Sequence, residues 1–265
     1  MISDRSMAPT PALCQCPHMR ITDVVERGTW LAHRMQRGTG SVSQTAGAGF
    51  DAYVRILHPV PDPDEVRDPN LDGTWSTRRW ADVAARNGRT MHRLVQWGRL
   101  LGLDEPEQVR TSDVGWLDPG LIAALSPILG DATSTPDDLT AGFWDGGHGQ
   151  DLPRKRLFDG DGRSYVLAET AVDELADPAW AAGMDPDHIE GLGTISLELL
   201  WPEDHAWALG AEIDFDSTVI GGTHELINAI LADHRFEAFE VAEDDDLSWN
   251  GDRINHPTPT IPERP

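Results

Sequence analysis

Thr194-Ile195-Ser196-Leu197-Glu198-Leu199-Leu200-Trp201-Pro202-Glu203-Asp204-His205-Ala206-Trp207-Ala208-Leu209-Gly210-Ala211-Glu212-Ile213-Asp214-Phe215 is the stretch on which the fold turns. Two strand candidates, Thr194–Leu200 and Ala206–Phe215, flank Trp201-Pro202-Glu203-Asp204-His205, a connection of hairpin length. The pair therefore predicts two antiparallel strands late in the chain. Further short strands are expected at Gly142–Asp145 and Ser164–Ala168. Earlier, Phe50, Ala52, Val54 and Ile56 alternate with Asp51, Tyr53 and Arg55, the period of a strand with one wet face. His58-Pro59-Val60-Pro61-Asp62-Pro63 ends it, because three prolines forbid a continuing ladder or helix.

Helical signals surround these strands. Ile21, Val24, Val25, Gly28, Leu31, Ala32 and Met35 share one face of a predicted helix, which Gly38 and Gly40 stop. A second helical region runs from about Arg79 to Leu101, with a break near Asn87-Gly88. Asp118-Pro119 opens another over Leu121, Ile122 and Leu125, since an acidic cap followed by proline is pre-organised for a first helical turn. Thr135-Pro136, Asp177-Pro178 and Asp185-Pro186 repeat that signature. Thr223 caps a helix carrying Leu226, Ile227, Ile230 and Leu231. Helices come early and strands late, without βαβ alternation, which favours an α+β fold: a mainly antiparallel sheet with helices packed on it and a helical N-terminal part. Residues 1–18 read as a disordered tail, 19–250 as a single α+β domain, and 251–265 as a proline-rich tail.

At 265 residues, 39% of them hydrophobic, the chain is long enough to bury a core without disulfides. Its net charge is −24, unevenly spread: +3 over residues 1–100 and −27 over 101–265. That field disfavours nucleic acid and anionic membrane and attracts a basic partner or cations, and it also serves solubility alone. No run of 18 apolar residues suggests a membrane span, and residues 1–20 hold no apolar signal-peptide core. The two cysteines, Cys14 and Cys16, sit too close together to staple a domain, so a cytoplasmic setting is expected. With His18 they offer three soft ligands, one short of a structural zinc set and at the wrong spacing.

Three constellations are candidates for chemistry. In an extended Glu212-Ile213-Asp214-Phe215-Asp216, the carboxylates of Glu212, Asp214 and Asp216 project from one face and the apolar residues from the other. Oxygen ligands at that spacing suit a divalent metal such as Mg²⁺, Mn²⁺ or Ca²⁺, with His205 or His224 nearby. The same alternation also describes a strand wet on one side. Val219-Ile220-Gly221-Gly222-Thr223 leads into a helix without any phosphate-loop pattern, and reads as a plain turn. Phe143-Trp144-Asp145-Gly146-Gly147-His148-Gly149 places Asp145 and His148 beside Trp144, either a tight hairpin tip or a pocket wall with a proton carrier. Ten tryptophans outnumber the other aromatics; Trp144, Trp201 and Trp207 are candidates for a binding surface, set against a plain tryptophan-rich core.

Gly49-Phe50-Asp51-Ala52-Tyr53-Val54-Arg55-Ile56-Leu57-His58-Pro59, Phe143-Trp144-Asp145-Gly146, Leu200-Trp201-Pro202-Glu203-Asp204-His205-Ala206-Trp207 and Glu212 through Gly222 resemble blocks of an uncharacterised actinobacterial protein family of similar length. The resemblance implies a bacterial cytoplasmic protein. It carries no activity and no catalytic residue. Two functional expectations follow from the residues themselves. One is a protein-interaction, regulatory or immunity-type module whose acidic surface receives a basic protein. The other is a metal-dependent hydrolase-like enzyme using Glu212, Asp214 and Asp216, with His148, His205 or Asp145 moving protons.

Overall fold

The computed structural model describes residues 19–35, 40–61, 77–104, 117–145, 156–160, 162–183 and 197–256. The segments read as residues 1–18, with Cys14, Cys16 and His18, and the Asp185-Pro186 helix start lie outside these, as does the chain beyond 256. In chain order the elements are β1 (Arg20–Thr22), α1 (Thr29–Arg34), α2 (Val42–Ala46), β2 (Ala52–Leu57), β3 (Val60–Pro61), β4 (Thr77–Arg78), α3 (Trp80–Arg86), α4 (Trp97–Leu100), α5 (Pro119–Asp131), β5 (Leu139–Trp144), β6 (Phe158–Gly160), β7 (Arg163–Thr170), α6 (Val172–Leu175), β8 (Leu197–Pro202), β9 (Ala208–Gly210), β10 (Ser217–Gly222), α7 (His224–Ala232) and β11 (Ala238–Val241). Nine strands form one sheet in the order β1-β7-β5-β8-β9-β10-β2-β11, with β6 paired to β7, and every pairing is antiparallel. The expected α+β class is what the chain adopts.

Local chemistry accounts for the helices that were legible. Asp118 accepts hydrogen bonds from the backbone N–H of Gly120 and Leu121, and Pro119 follows it at the first position of α5. Thr223 accepts from the N–H of Leu226 at the start of α7. Each such cap satisfies a backbone donor that the first helical turn leaves open, worth about 1 kcal/mol. The predicted break at Asn87-Gly88 is present, since α3 ends at Arg86. Residues 91–96 are not helical, however, and only α4 follows. The helix expected over Ile21–Met35 is likewise shorter, because Arg20–Thr22 pair with β7 as β1 and the chain turns α-helical only at Thr29. Thr135-Pro136 starts no helix, whereas Pro178–Gly183 form a 3-10 helix.

Both faces of the sheet are covered. On one, α5, α6 and α7 pack Leu121, Ile122, Leu125, Leu226 and Ile230 against Val54, Ile56, Ala141, Leu200 and Ile220. On the other, α1 and α2 bring Leu31, Val42 and Ala46 onto Leu199, Trp201, Tyr53 and Val219, while α3 and α4 place Trp80 and Trp97 over Leu57. This corrects the reading of β2 as wet on one face: all six of its residues are buried, Arg55 included. Alternation marks a half-buried strand only where the second face meets water, and here helices stand in its place. The packed body also continues past residue 250. Asp252 and Asn255 are buried and hydrogen-bonded to each other, and they hold Gln96, His92 and Thr90.

Candidate functional site

The residues from Ala211 to Asp216 connect β9 to β10. These two strands pair antiparallel, Gly210 opposite Val219 and Ala208 opposite Gly221, so the chain must reverse between them. The expected strand Ala206–Phe215 is therefore corrected: it ends at Gly210, and Glu212–Phe215 form a turn closed by the Phe215 N–H donating to the Glu212 carbonyl at 3.0 Å. The acid–apolar alternation survives in a turn, where it no longer aligns side chains.

The three carboxylates consequently part company. Glu212 and Asp214 both meet Arg163 of β7, whose Nη2 lies 2.6 Å from Glu212 Oε1 and 3.1 Å from Asp214 Oδ2. Asp216 turns the other way, to Arg55 of β2, at 3.0 Å. Among the described residues no three His, Cys, Asp or Glu side chains are grouped so as to hold a metal ion.

A fourth carboxyl joins the first pair. Gly142 and Phe143 of β5 face Leu199 and Leu197 of β8, which leaves Glu198 unpaired at a β-bulge. A bulge puts two successive side chains on one side of a sheet, and Glu198 and Leu199 both line the same cleft. The bulge is held by the Ala211 N–H, which donates to the Glu198 carbonyl at 2.7 Å. Glu198 is only 3% exposed, and its carboxyl takes no hydrogen bond from any described residue. Burial, and then the neighbouring Glu212, push that carboxyl up to about 8, with Asp214 adding and Arg163 opposing. Burial raises Glu212 as well, against the pull of Arg163. Its Oε1 is close to Arg163 yet lacks a hydrogen-bonding alignment.

The cleft lies between this corner of the sheet and α2. Met35, Gln44, Thr45, Arg163 and Tyr165 line it together with Glu198 and Glu212. Only glycine at 210 permits so close an approach of α2, since a Cβ there would stand 1.9 Å from the Thr45 carbonyl oxygen. The empty space is ≈ 270 Å³ including the open mouth, below the roughly 300–1,000 Å³ of small-molecule sites. Much of that space is open mouth, and the enclosed part has room for about one water-sized group, the size of an ammonium head.

The other predicted residues scatter. Trp144 is 37% exposed, with the Arg163 guanidinium 5.8 Å over its ring. Trp201 and Trp207 are wholly buried, which removes both from any binding surface; the indole of Trp207 donates to the Leu129 carbonyl within the core. Asp145 is buried just beyond Trp144 with Oδ1 unpartnered, while His148 lies outside the described residues. His205 is exposed, at φ 57, stacked 4.1 Å from Trp30, with burial against that ring lowering its pKa. Its backbone conformation is costly for a non-glycine residue, and Asp204 braces it with bonds from Ser134, Thr133 and the Ala206 N–H. Because Leu139 faces Pro202 and Phe143 faces Leu197, His205 and Asp145 sit at opposite ends of β5, roughly 15–20 Å apart at strand spacing. They do not share a site.

Sequence reasoning passed over Glu198, Arg163 and the pairing of Arg55. A signal for the first was present: Glu198 is the one charge in a run of leucines, a position that forces a carboxyl either into a core or onto a bulge.

Comparison with known proteins returned no matching family model, no matching curated protein and no matching solved structure. The kinship expected from the quoted blocks thus rests on those residues alone.

Proposed function

We propose that this chain is a protein-binding module that receives a basic partner on its acidic surface. The observation that carries the reading is the charge left over after internal pairing. Arg27, Arg55, Arg93, Arg163 and Arg235 are each committed to carboxylates. Asp131, Asp137, Asp173, Glu225, Glu240 and Asp244 remain exposed, and among the described residues none of these enters an ion pair. Unneutralised charge of one sign steers a partner of the other and sets its salt dependence. Among the described residues no helix is long and apolar enough to cross a membrane. The alternative of a metal-dependent hydrolase draws no support from the turn at 212–216.

The test is capture on immobilised protein from a native lysate at about 50 mM salt, followed by rebinding of the purified partner. A basic protein that elutes as salt rises, and binds more weakly to an Asp137→Lys/Glu240→Lys variant, supports the reading. If nothing basic is retained, or the charge reversals leave affinity unchanged, the reading falls.

A further inference from the structure

Resting on that reading, we propose that the cleft between Glu198 and Glu212 is a receptor for one primary ammonium group, that of a lysine side chain on the basic partner. Glu198 is 3% exposed, faces the cleft and takes no hydrogen bond from any described residue. A buried carboxyl without a donor is an unmet demand, and a cation with several N–H groups meets it best. The second carboxylate, Glu212, presents a buried oxygen that Arg163 neutralises without a well-aligned bond. An ammonium between the two carboxyls supplies both. The cleft has room for one ammonium-sized group, and Trp144, 37% exposed beside the Arg163 guanidinium, offers apolar surface to the lysine methylenes outside it.

Charge agrees with size. Among the described residues Glu198, Glu212 and Asp214 face a single cation, Arg163, so with those groups ionised the cleft carries a net −2 and a bound ammonium brings it to −1. Around the cleft, β7 contributes Arg163 and Tyr165, the 211–216 turn contributes Glu212 and Asp214, and α2 contributes uncharged Gln44 and Thr45, beside Met35; the strands paired to β8 add no charge there, with β5 giving Gly142 and Phe143 and β9 giving Leu209 and Gly210. Burial and Glu212 push the Glu198 carboxyl up to about 8, so it keeps its proton at neutral pH. Lysine stays charged well above that. Binding therefore expels the proton, and affinity falls about tenfold for each pH unit below the Glu198 pKa.

The experiment is a ¹³C carboxyl titration of the wild-type protein, with the Glu198 resonance identified by its loss in Glu198→Gln. It is run alone, with Nα-acetyl-lysine methylamide, with the Nε-acetylated form of that probe, and with n-butylamine. The expected result is a lowered Glu198 pKa with the lysine probe and none with the acetylated one. An unchanged curve with the lysine probe overturns the proposal, as does a shift by butylamine alone. The two readings fail separately. A partner that binds Glu198→Gln as tightly as wild type overturns the ammonium site and leaves the binding module standing. A shifted titration with no basic partner found does the reverse.

Discussion

Two arginines flank the turn between β9 and β10, and their surroundings differ in kind. Arg55 is wholly buried and nearly satisfied: Nε donates to Ser217, Nη1 to the carbonyls of Arg93 and Val95, and Nη2 to Asp216, which also accepts the Trp97 N–H. Arg163 is partly exposed and holds Glu212 and Asp214, while Glu198 beside them goes without a donor among the described residues. The first is a structural clamp. It joins β2, β10 and the residues before α4, and its groups ask nothing of a ligand. The second is under-satisfied at the surface, and that is the condition for binding. A charged group in a protein is informative about function through what it lacks more than through what it touches.

Breaking the clamp is expected to have the largest effect. Arg55→Met leaves Asp216 buried without its cation and costs about 3–5 kcal/mol, read from the denaturant midpoint. A loss under about 1 kcal/mol would show that the two regions are not distinct in kind.

Of comparable size over its full pH span is the response of Glu198. Its carboxyl is raised in the folded protein, so the folded state keeps a proton that the unfolded chain has released. Stability relative to Glu198→Gln thus declines as pH rises from the ordinary carboxylate range to about 8, by up to about 1.4 kcal/mol per pH unit, and levels off above. Below that range the two proteins differ little. Parallel stability–pH curves for the two would remove the contrast.

Arg163→Met comes next. It exposes Glu212 and Asp214 to each other without a cation, and an expected loss of about 1–2 kcal/mol at neutral pH is measurable by denaturation. The same change raises the Glu198 carboxyl further, because Arg163 now holds it down. Smallest is Asp214→Asn. The Asp214 side chain is 73% exposed, so its contribution to stability is expected within about 0.5 kcal/mol, with Glu212 still held by Arg163.

Much of the architecture was legible from local chemistry. Asp118 and Thr223 announced their helices because a cap is a bond between near neighbours, and the β8–β9 hairpin announced itself through an apolar, polar, apolar rhythm. The turn at 212–216 misled because period two is compatible with a strand and with a connection. The strand order that distinguishes them depends on β10 returning along β9. Trp201 and Trp207 were ambiguous for a similar reason: tryptophan serves cores and interfaces alike, and only the packing of α1 and α5 on the sheet sorts them.

The sequence by itself determined the class of fold, the helix caps and the excess of negative charge, since these follow from neighbouring residues and from sums. Tertiary structure decided which carboxyls matter. Arg55 finds Asp216 across 161 positions and Arg163 finds Asp214 across 51. Glu198 is set apart by a bulge against β5 and a helix lying on Gly210. Desolvation depends on how much of the chain surrounds a group, and distant segments supply most of that cover.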